Sequence, residues 1–534
     1  MTPSLEIGNG NWAVKSDSLL GYKTIDGKYY PREIGVTRAT TATRINADGL
    51  VELTPYNLLT WSEEFDSVNW GKTNATITPN TTTAPNGTLT ADTILSTGAD
   101  GRALQGININ QNTDYTFSIW LKSTSTSNVN AAIRSVGNPT PIIVTTEWQR
   151  FEITQNYPVS ASRFPGVSGL ALGESVYIWG AQVVEGSTAK DYLPTTDRLD
   201  IARIDYSSGE AALLVEPQRT NLATYSEQFD NVSWTKNIGG VGGVPVVTSN
   251  AGISPSGITN ADRIQFTLNG GTTTADISDI RKLITTTAGT YTFSFWVKSF
   301  DGVSSYQMLV RDPNGITNQM VVTGEWQRYT ITAATYPTGN ASMGFGIRGG
   351  QTPINSGTAD ILVWGAQLEA GAYPTSYIPT TSAAVTRNVD LTIEKNIINL
   401  GIGNSYTLLF DLTMATEDSN KILFTLKNSS GTNSMTFRNF NNNLRIYDTI
   451  GGSYPLASLS NENTKWAFRF DGVNYSLFRV SGGVAVENTA TLGTARDIGY
   501  FSEINSGSTK ASIKYLSIYP SALSDTECEQ YVIS

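Results

Sequence analysis

YTFSIWLKS at residues 115–123 and YTFSFWVKS at residues 291–299 are two copies of one β-strand. Large apolar side chains alternate with Thr, Ser, Trp and Lys, and a strand turns successive side chains to opposite faces. The alternation predicts one face packed on a core. It places Trp120 and Trp296 on the opposite, polar face.

Three further blocks recur in the same order, which extends the duplication to whole modules. NLLTWSEEFDSVNW matches NLATYSEQFDNVSW, EWQRFEIT matches EWQRYTIT, and WGAQVVEG with YLPTT matches WGAQLEAG with YIPTT. Extra residues enter the second copy between the blocks, where loops are expected. Solenoid repeats have periods of about 20–50 residues, so a longer unit that occurs twice is a tandem domain. We expect module 1 at 51–200 and module 2 at 201–386.

The rest of the chain also predicts β structure. Short strand patterns between Gly, Asn, Pro and Ser turns predict an all-β protein of three β-sandwich (jelly-roll) domains in tandem, the first two duplicated. Residues 387–534 carry seven further strand patterns and then SALSDTECEQYV, a helix with Ser524 as N-cap and Glu527 completing a capping box. Residues 1–50 are short and turn-rich. A docking or extended segment and a β-extension of module 1 both remain open for them.

The composition excludes several kinds of function. The chain has no histidine and a single cysteine, Cys528, which removes His-dependent triads, zinc thiolate clusters and an intrachain disulfide. A net charge of −10 without a basic tract argues against nucleic acid as a partner. No secretory signal pattern and no apolar run of about 18 residues is present, so we expect no membrane insertion.

No cofactor is expected, although two acidic clusters leave a structural calcium ion open. Hard oxygen ligands at the edge of a sandwich suit calcium, but the spacing matches no defined calcium loop. Turn and capping carboxylates are the alternative. The clusters are Glu63, Glu64 and Asp66 in module 1, and Glu227 and Asp230 in module 2.

Strand alternation also sorts the other repeated tryptophans. Trp148 shares a face with Arg150, whereas Trp179 aligns with apolar residues and is expected in the core, as is Trp364. A flat indole on a polar face suits the apolar side of a sugar ring, with neighbouring polar groups to orient it. Cover by a loop, a connector or another subunit is the alternative. The candidate glycan-binding residues are Trp120, Lys122, Trp148, Arg150, Trp296, Lys298, Trp326 and Arg328.

The repeated blocks resemble those of phage virion proteins. NLLTWSEEFD, YTFSIWLKS, EWQR and YIWGAQVVEG with YLPTT resemble carbohydrate-binding-type jelly-roll modules of phage fibre and decoration proteins, over roughly 38–381. WAFRFDGVNYSLFRVSGG and IKYLSIYPSALSDTE resemble concanavalin/laminin-G-like sandwiches. The resemblance implies contact with glycans or the host surface.

Three functions follow, in order of preference. The first is a non-enzymatic structural virion protein, as a head fibre, tail fibre or capsid decoration, assembled in the bacterial host cytoplasm. It would dock on other virion proteins through its N-terminal segment and adhere to host-surface polysaccharide as a homo-oligomer, with a trimer favoured. A polysaccharide depolymerase tailspike with carboxylate chemistry is the second. A secreted bacterial adhesin is the third.

Overall fold

The structure is a computed structural model of the chain. It describes residues 5–8, 13–15, 18–25, 28–33, 36–38, 40–54, 57–109, 114–159, 161–190, 192–195, 203–312, 317–336, 338–392, 395–396, 402–414, 421–431, 434–440, 443–448, 452–458, 464–491, 498, 500–504 and 510–534. Within these ranges, the one α-helix is far too short to cross a membrane.

The segment before module 1 contains seven short strands. They are β1 (Leu5–Gly8), β2 (Ala13–Lys15), β3 (Ser18–Ile25), β4 (Lys28–Glu33), β5 (Val36–Thr37), β6 (Thr43–Ile45) and β7 (Val51–Leu53). Strands β6 and β7 pair antiparallel and are called hairpin 1.

Module 1 is built of the strands β8 (Gly71–Thr73), β9 (Ala75–Thr82), β10 (Ala91–Ser96), β11 (Gly101–Leu104), β12 (Ile107–Ile109), β13 (Asp114–Ser123), β14 (Val129–Arg134), β15 (Thr140–Val144), β16 (Gln149–Asn156), β17 (Ala161–Arg163), β18 (Gly166–Leu170) and β19 (Ser175–Glu185). Two five-stranded sheets form its layers, in the orders β16-β13-β19-β10-β9 and β15-β14-β18-β11-β8. The apolar faces of both sheets meet in one core.

A second hairpin leads into module 2. It pairs β20 (Arg203–Asp205) with β21 (Ala212–Val215) and is called hairpin 2. Module 2 follows with β22 (Arg219–Asn221), β23 (Trp234–Gly239), β24 (Val246–Ile253), β25 (Thr259–Thr267), β26 (Ile277–Thr286), β27 (Gly289–Ser299), β28 (Tyr306–Arg311), β29 (Thr317–Val322), β30 (Gln327–Tyr336), β31 (Gly339–Arg348), β32 (Thr358–Ala370) and β33 (Val385–Arg387).

The duplication extends to strand order. The sheets of module 2 run β30-β27-β32-β25-β24 and β29-β28-β31-β26-β23, so each strand has a counterpart at the same place in module 1. The predicted all-β class of sandwich domains is therefore confirmed. The exact domain bounds stay a prediction.

The last part of the chain forms two further sheets. Its elements are β34 (Leu391–Thr392), β35 (Lys395–Asn396), β36 (Tyr406–Met414), β37 (Lys421–Lys427), β38 (Ser434–Phe440), β39 (Asn443–Asp448), β40 (Gly452–Ser458), β41 (Lys465–Phe470), β42 (Asn474–Ser481), β43 (Val484–Thr491), β44 (Tyr500–Ile504), β45 (Ala511–Tyr519) and α1 (Asp525–Ile533). Strands fall on all seven predicted patterns. The capping box is also confirmed, because the Glu527 amide donates to Ser524 Oγ and the Ser524 amide donates to the Glu527 carboxylate.

The N-terminal strands join this last part and not module 1. One sheet runs β2-β3-β1-β45-β36-β41-β42-β43, with β4 on β3 and hairpin 2 on β45. Strands β1 and β21 lie along the same edge of β45, β1 beside residues 515–518 and β21 beside residues 511–513. The alternative of a β-extension of module 1 is therefore wrong for strands β1 to β4. The docking role of the segment stays a prediction.

Candidate functional site: two aromatic platforms

Strand β13 separates a core face from an outer face. Tyr115, Phe117, Ile119 and Leu121 are at most 1% exposed and lie in the core between the two sheets of module 1. Trp120 points the other way and packs in a separate aromatic cluster on the outside of the sheet.

Trp179 is buried as expected, at 4% exposed, but it lies on the outer face and not in the core between the sheets, because a β-bulge interrupts the alternation. Pairing between β13 and β19 shifts by one residue at Ser118–Trp120, so Trp179 lies beside Trp120 on the outer face. Gly180 follows Trp179 with φ of 64°, a left-handed conformation that glycine adopts without strain. The bulge returns Ala181 to the core face.

Trp364 also lies on the outer face and not in the core between the sheets, for the same reason. It pairs with Trp296 after an equivalent shift, and Gly365 has φ of 66°. A Cβ at Gly365 would lie 2.9 Å from the Trp296 ring. The glycine is therefore also needed because the Trp296 indole packs directly against its backbone.

Platform 1 is the cluster of Trp120, Trp148, Trp179 and Tyr192 with Arg150. The Trp120 and Trp179 ring centroids are 5.2 Å apart, and Tyr192 lies 4.7 Å from Trp179. The Arg150 guanidinium is 4.6 Å above the Trp120 ring and donates to the Lys190 carbonyl. Platform 1 is thus a rigid aromatic surface on the outer face of module 1.

Platform 2 repeats this geometry with Trp296, Trp326, Trp364, Tyr377 and Arg328. The distance from Trp296 to Trp364 is 5.3 Å, and that from Trp364 to Tyr377 is 4.6 Å. The Arg328 guanidinium is 4.4 Å above Trp296. The two copies therefore place the same rings and the same cation at nearly the same separations.

Hairpin 1 covers platform 2. Val51 and Ile45 pack against Trp296 and Trp364. The Val51 amide donates to the Pro255 carbonyl at 2.9 Å. This cover leaves Trp296 only 8% exposed, so it presents no open face to a ligand.

No hairpin covers platform 1 in the part of the chain that the structure describes. Trp120, Trp148 and Tyr192 are half-buried, and their outer neighbours are Ala84 and Ala91 of module 1 itself. Pro85 is the counterpart of Pro255, and none of the described residues donates an equivalent backbone bond to its carbonyl. Platform 1 is the open copy.

The lysines predicted beside the tryptophans differ between the copies. Lys298 Nζ is 5.7 Å from the centre of the Trp326 ring. Lys122 of β13 pairs with Tyr177 of β19, and no described contact places its ammonium over Trp148. The Trp148 ring is instead held by a hydrogen bond from Nε1 to the Thr83 carbonyl at 3.1 Å.

Two tyrosines that sequence reasoning missed complete the platforms. Tyr192 and Tyr377 are hydrogen-bonded to Ser62 and Ser226, each at 2.7 Å. Burial raises the pKa of both phenols well above the usual range, so each remains protonated and able to donate. The repeated YLPTT and YIPTT were the signal that could have identified them.

A buried ionic cluster fixes the base of hairpin 1. Every side chain in it is at most 3% exposed. The three arginines come from three separate connecting stretches, before module 1, at the start of module 2 and after it, which are called the connectors. The cluster also reaches the hairpin, because Arg203 donates to the Thr43 carbonyl at 3.0 Å. This junction cluster consists of Arg38, Arg203, Glu216, Arg387 and Asp390.

The guanidiniums of the junction cluster dominate its electrostatics. They hold the pKa values of Glu216 and Asp390 below the usual carboxylate range, against the opposing effect of burial. Both acids therefore stay ionised, and the connectors are held together through charge-assisted hydrogen bonds.

The acidic clusters form no cation site among the residues that are described, which contain no group of three or more metal-ligating side chains. Glu227 accepts hydrogen bonds from Tyr377 and from Asn260. Asp230 accepts one from Ser249. These carboxylates thus bind polar groups of module 2.

Comparison with known proteins gives structural matches only. No protein-family model and no curated protein sequence matches the chain. The tandem of two CBM22 domains from Paenibacillus barcinonensis Xyn10C is 13% identical, with a TM-score of 0.23, over 59% of this chain and 98% of that one. The enzymatically active domain of tailspike protein 4 from bacteriophage CBA120 is 16% identical, with a TM-score of 0.20, over 24% and 21%.

The expectation that the chain is not an enzyme is corrected by a further match. An exo-β-1,3-galactanase from Phanerochaete chrysosporium is 11% identical, with a TM-score of 0.17, over 66% of this chain and 75% of that one. Glycoside hydrolases are thus among the similar structures, and the all-β architecture does not exclude an enzyme. At these TM-scores no match assigns an activity to the chain.

Proposed function

We propose that the protein is a structural component of a bacteriophage virion, a fibre or decoration protein, that adheres to host-surface glycans through platform 1. The observation that carries the proposal is the open aromatic surface of module 1. It has the same construction as platform 2 but lacks the covering hairpin.

Trp148 is the part of platform 1 best placed to stack on a sugar. Its ring is half-buried, fixed by the bond to Thr83, and lies 6.5 Å from the Tyr177 ring at an angle of 43°. A fixed aromatic ring offers an apolar face at little entropic cost. Trp120 has one face covered by the Arg150 guanidinium and packs in the same cluster as Trp148.

The virion part of the proposal is supported by the order of the repeated blocks and by the junction cluster. A buried network that joins three connectors suits a protein that projects its modules rigidly from a particle. The N-terminal segment would dock on other virion proteins, and we expect a homo-oligomer, with a trimer favoured. Electron microscopy of labelled virions would locate the protein, and absence from purified particles would contradict this part.

The glycan part is tested with a matched pair of variants in the full chain. Trp148→Ala should weaken adhesion to host cells and to their purified surface polysaccharide about tenfold, or ~1.4 kcal/mol, as for an interface hot spot. Trp326→Ala, at the same position of module 2, is the control. Trp326 is also half-buried but belongs to the cluster that contains hairpin 1, so this variant should weaken adhesion less.

Equal loss of adhesion in both variants, with unchanged melting temperatures, would show that the open platform is not the binding surface. Reducing ends should be measured in the same incubations. Release of sugar would mean that the contact with polysaccharide is catalytic.

A further inference from the structure

A second set of charged side chains lies on the other sheet of module 2, away from platform 2. In module 2, Gly344 of β31 has Arg281 as its neighbour on β26 and Arg311 as its neighbour on β28. Strands are about 4.8 Å apart, so the two arginine backbones face each other across about 10 Å. In the next row, Gly346 lies between Asp279 and Leu309.

The glycines keep the space between the arginines open. A Cβ at Gly344 would lie 2.1 Å from the Ile280 carbonyl oxygen, and one at Gly346 would lie 2.4 Å from Asp279 Cβ. Neither position accepts a side chain without displacement of the neighbouring strand. The outer face of β31 is therefore a groove with a backbone floor, flanked by Asp279, Arg281 and Arg311 and by the apolar Leu309.

The walls carry more positive than negative charge. Arg281 is paired with Asp279 at 2.7 Å, and Arg348 donates to the Thr274 carbonyl at 2.5 Å. Burial lowers the pKa of Arg311, and the nearby Arg281 and Arg348 add to this effect, while Asp279 and Asp312 oppose it. Among the described residues, three guanidiniums and two carboxylates therefore lie near one another, on a chain whose net charge is −10.

Module 1 keeps only part of this set. Arg134 is the neighbour of Gly166 on β18, but Leu104 of β11 stands where module 2 has Arg281, and Arg102 stands where module 2 has Asp279. Burial lowers the pKa of Arg134, with Arg102 as the next cause. Two arginines that face each other across a glycine are therefore particular to module 2 in this pairing of strands.

We propose that this groove binds a carboxylate-bearing polysaccharide, with Arg281 and Arg311 pairing with sugar carboxylates and Asp279 accepting bonds from sugar hydroxyls. A guanidinium matches a carboxylate through two parallel hydrogen bonds. Closely spaced phosphates fit less well, because Asp279 lies within the groove. The site does not depend on platform 1, since it lies on the other sheet.

The test uses the full chain and two polysaccharides in affinity gel electrophoresis, polygalacturonate as the acidic probe and dextran as the neutral one. The double variant Arg281→Gln with Arg311→Gln should lose at least tenfold in affinity for polygalacturonate. Arg311→Lys keeps the charge without the planar fork and should lose less. Circular dichroism and the melting temperature check that each variant is folded.

Unchanged affinity for polygalacturonate in the folded double variant would overturn the proposal, as would equal retardation by dextran. Tighter binding of single-stranded DNA than of polygalacturonate would also overturn it. Trp148→Ala separates the two sites. If only Trp148→Ala loses polygalacturonate binding, the groove is not the binding site and platform 1 is. If only the arginine variants lose it, the groove is the binding site and platform 1 is not.

Discussion

Platform 1 and platform 2 contain the same four aromatic residues and the same arginine, yet one is open and the other is covered. The difference comes from outside both modules. Hairpin 1 precedes module 1 in the chain but packs on module 2, where Val51 lies against the indoles. Duplicated residues therefore do not imply duplicated function, because the availability of a surface depends on its neighbours.

The hairpins themselves show the same contrast. Arg44 and Glu52 of hairpin 1 form a partly exposed ion pair at 3.0 Å. The matching pair, Arg203 with Glu216 at the end of hairpin 2, is fully buried in the junction cluster at the same distance. The same Arg–Glu pair is thus partly exposed to solvent in hairpin 1 and buried in the junction cluster at hairpin 2.

The largest expected effect separates these two ion pairs. Glu216→Gln leaves buried guanidiniums without a charge partner and should destabilise the protein by about 3–5 kcal/mol, whereas Glu52→Gln should cost at most about 1 kcal/mol. Urea unfolding followed by tryptophan fluorescence measures both. Equal costs would contradict a structural role for the junction cluster.

The next comparison concerns the platforms. Trp296→Ala removes an almost fully covered indole and should cost about 3 kcal/mol through the cavity it leaves. Trp120→Ala, on the open platform, should cost about 1–2 kcal/mol, because less surface is buried there. Acrylamide quenching should also rise more strongly for Trp296→Ala, since hairpin 1 loses its partner. A greater loss of stability in Trp120→Ala would mean that platform 1 is covered too.

The bulge glycines should behave alike in both copies. Gly180→Ala and Gly365→Ala force a left-handed alanine against a tryptophan ring and should each cost about 1–3 kcal/mol. Thermal unfolding of the two variants gives the comparison. A clear loss in one copy only would show that the bulge is not a shared element.

Mild acid should have the smallest effect. The folded pKa values of Glu216 and Asp390 lie below their unfolded values, so the unfolded state takes up protons first and stability falls as the pH falls. With unfolded values of about 4, the loss between pH 5 and pH 4 should be about 1 kcal/mol. Glu216→Gln should reduce that pH dependence. If the pH dependence of stability is the same in Glu216→Gln as in the unmodified protein, other carboxylates cause the loss.

The sequence was sufficient for the fold class and for the face of Trp120, because alternation over a long strand is a direct consequence of strand geometry. It failed at Trp179 and Trp364, where a bulge shifts the alternation by one residue. The glycine after each of these tryptophans was an available signal for that bulge.

The cover on platform 2 could not be predicted in the same way. Val51 and Trp296 are far apart in the chain, and no local pattern in hairpin 1 specifies its distant partner. The three connector arginines were visible, but their convergence on Glu216 and Asp390 depends on how complete modules are stacked. Long-range packing of this kind has no local sequence signal.

The shared edge of β45 also sets an order of events during synthesis. Strand β1 pairs with residues 515–518, so it must wait until about 500 further residues have been made. At 5–20 residues per second this is roughly 25–100 s, during which modules 1 and 2 have time to fold. Strand β1 is therefore made before both modules but is among the last strands to find its partner, and deletion of β45 should release both β1 and hairpin 2.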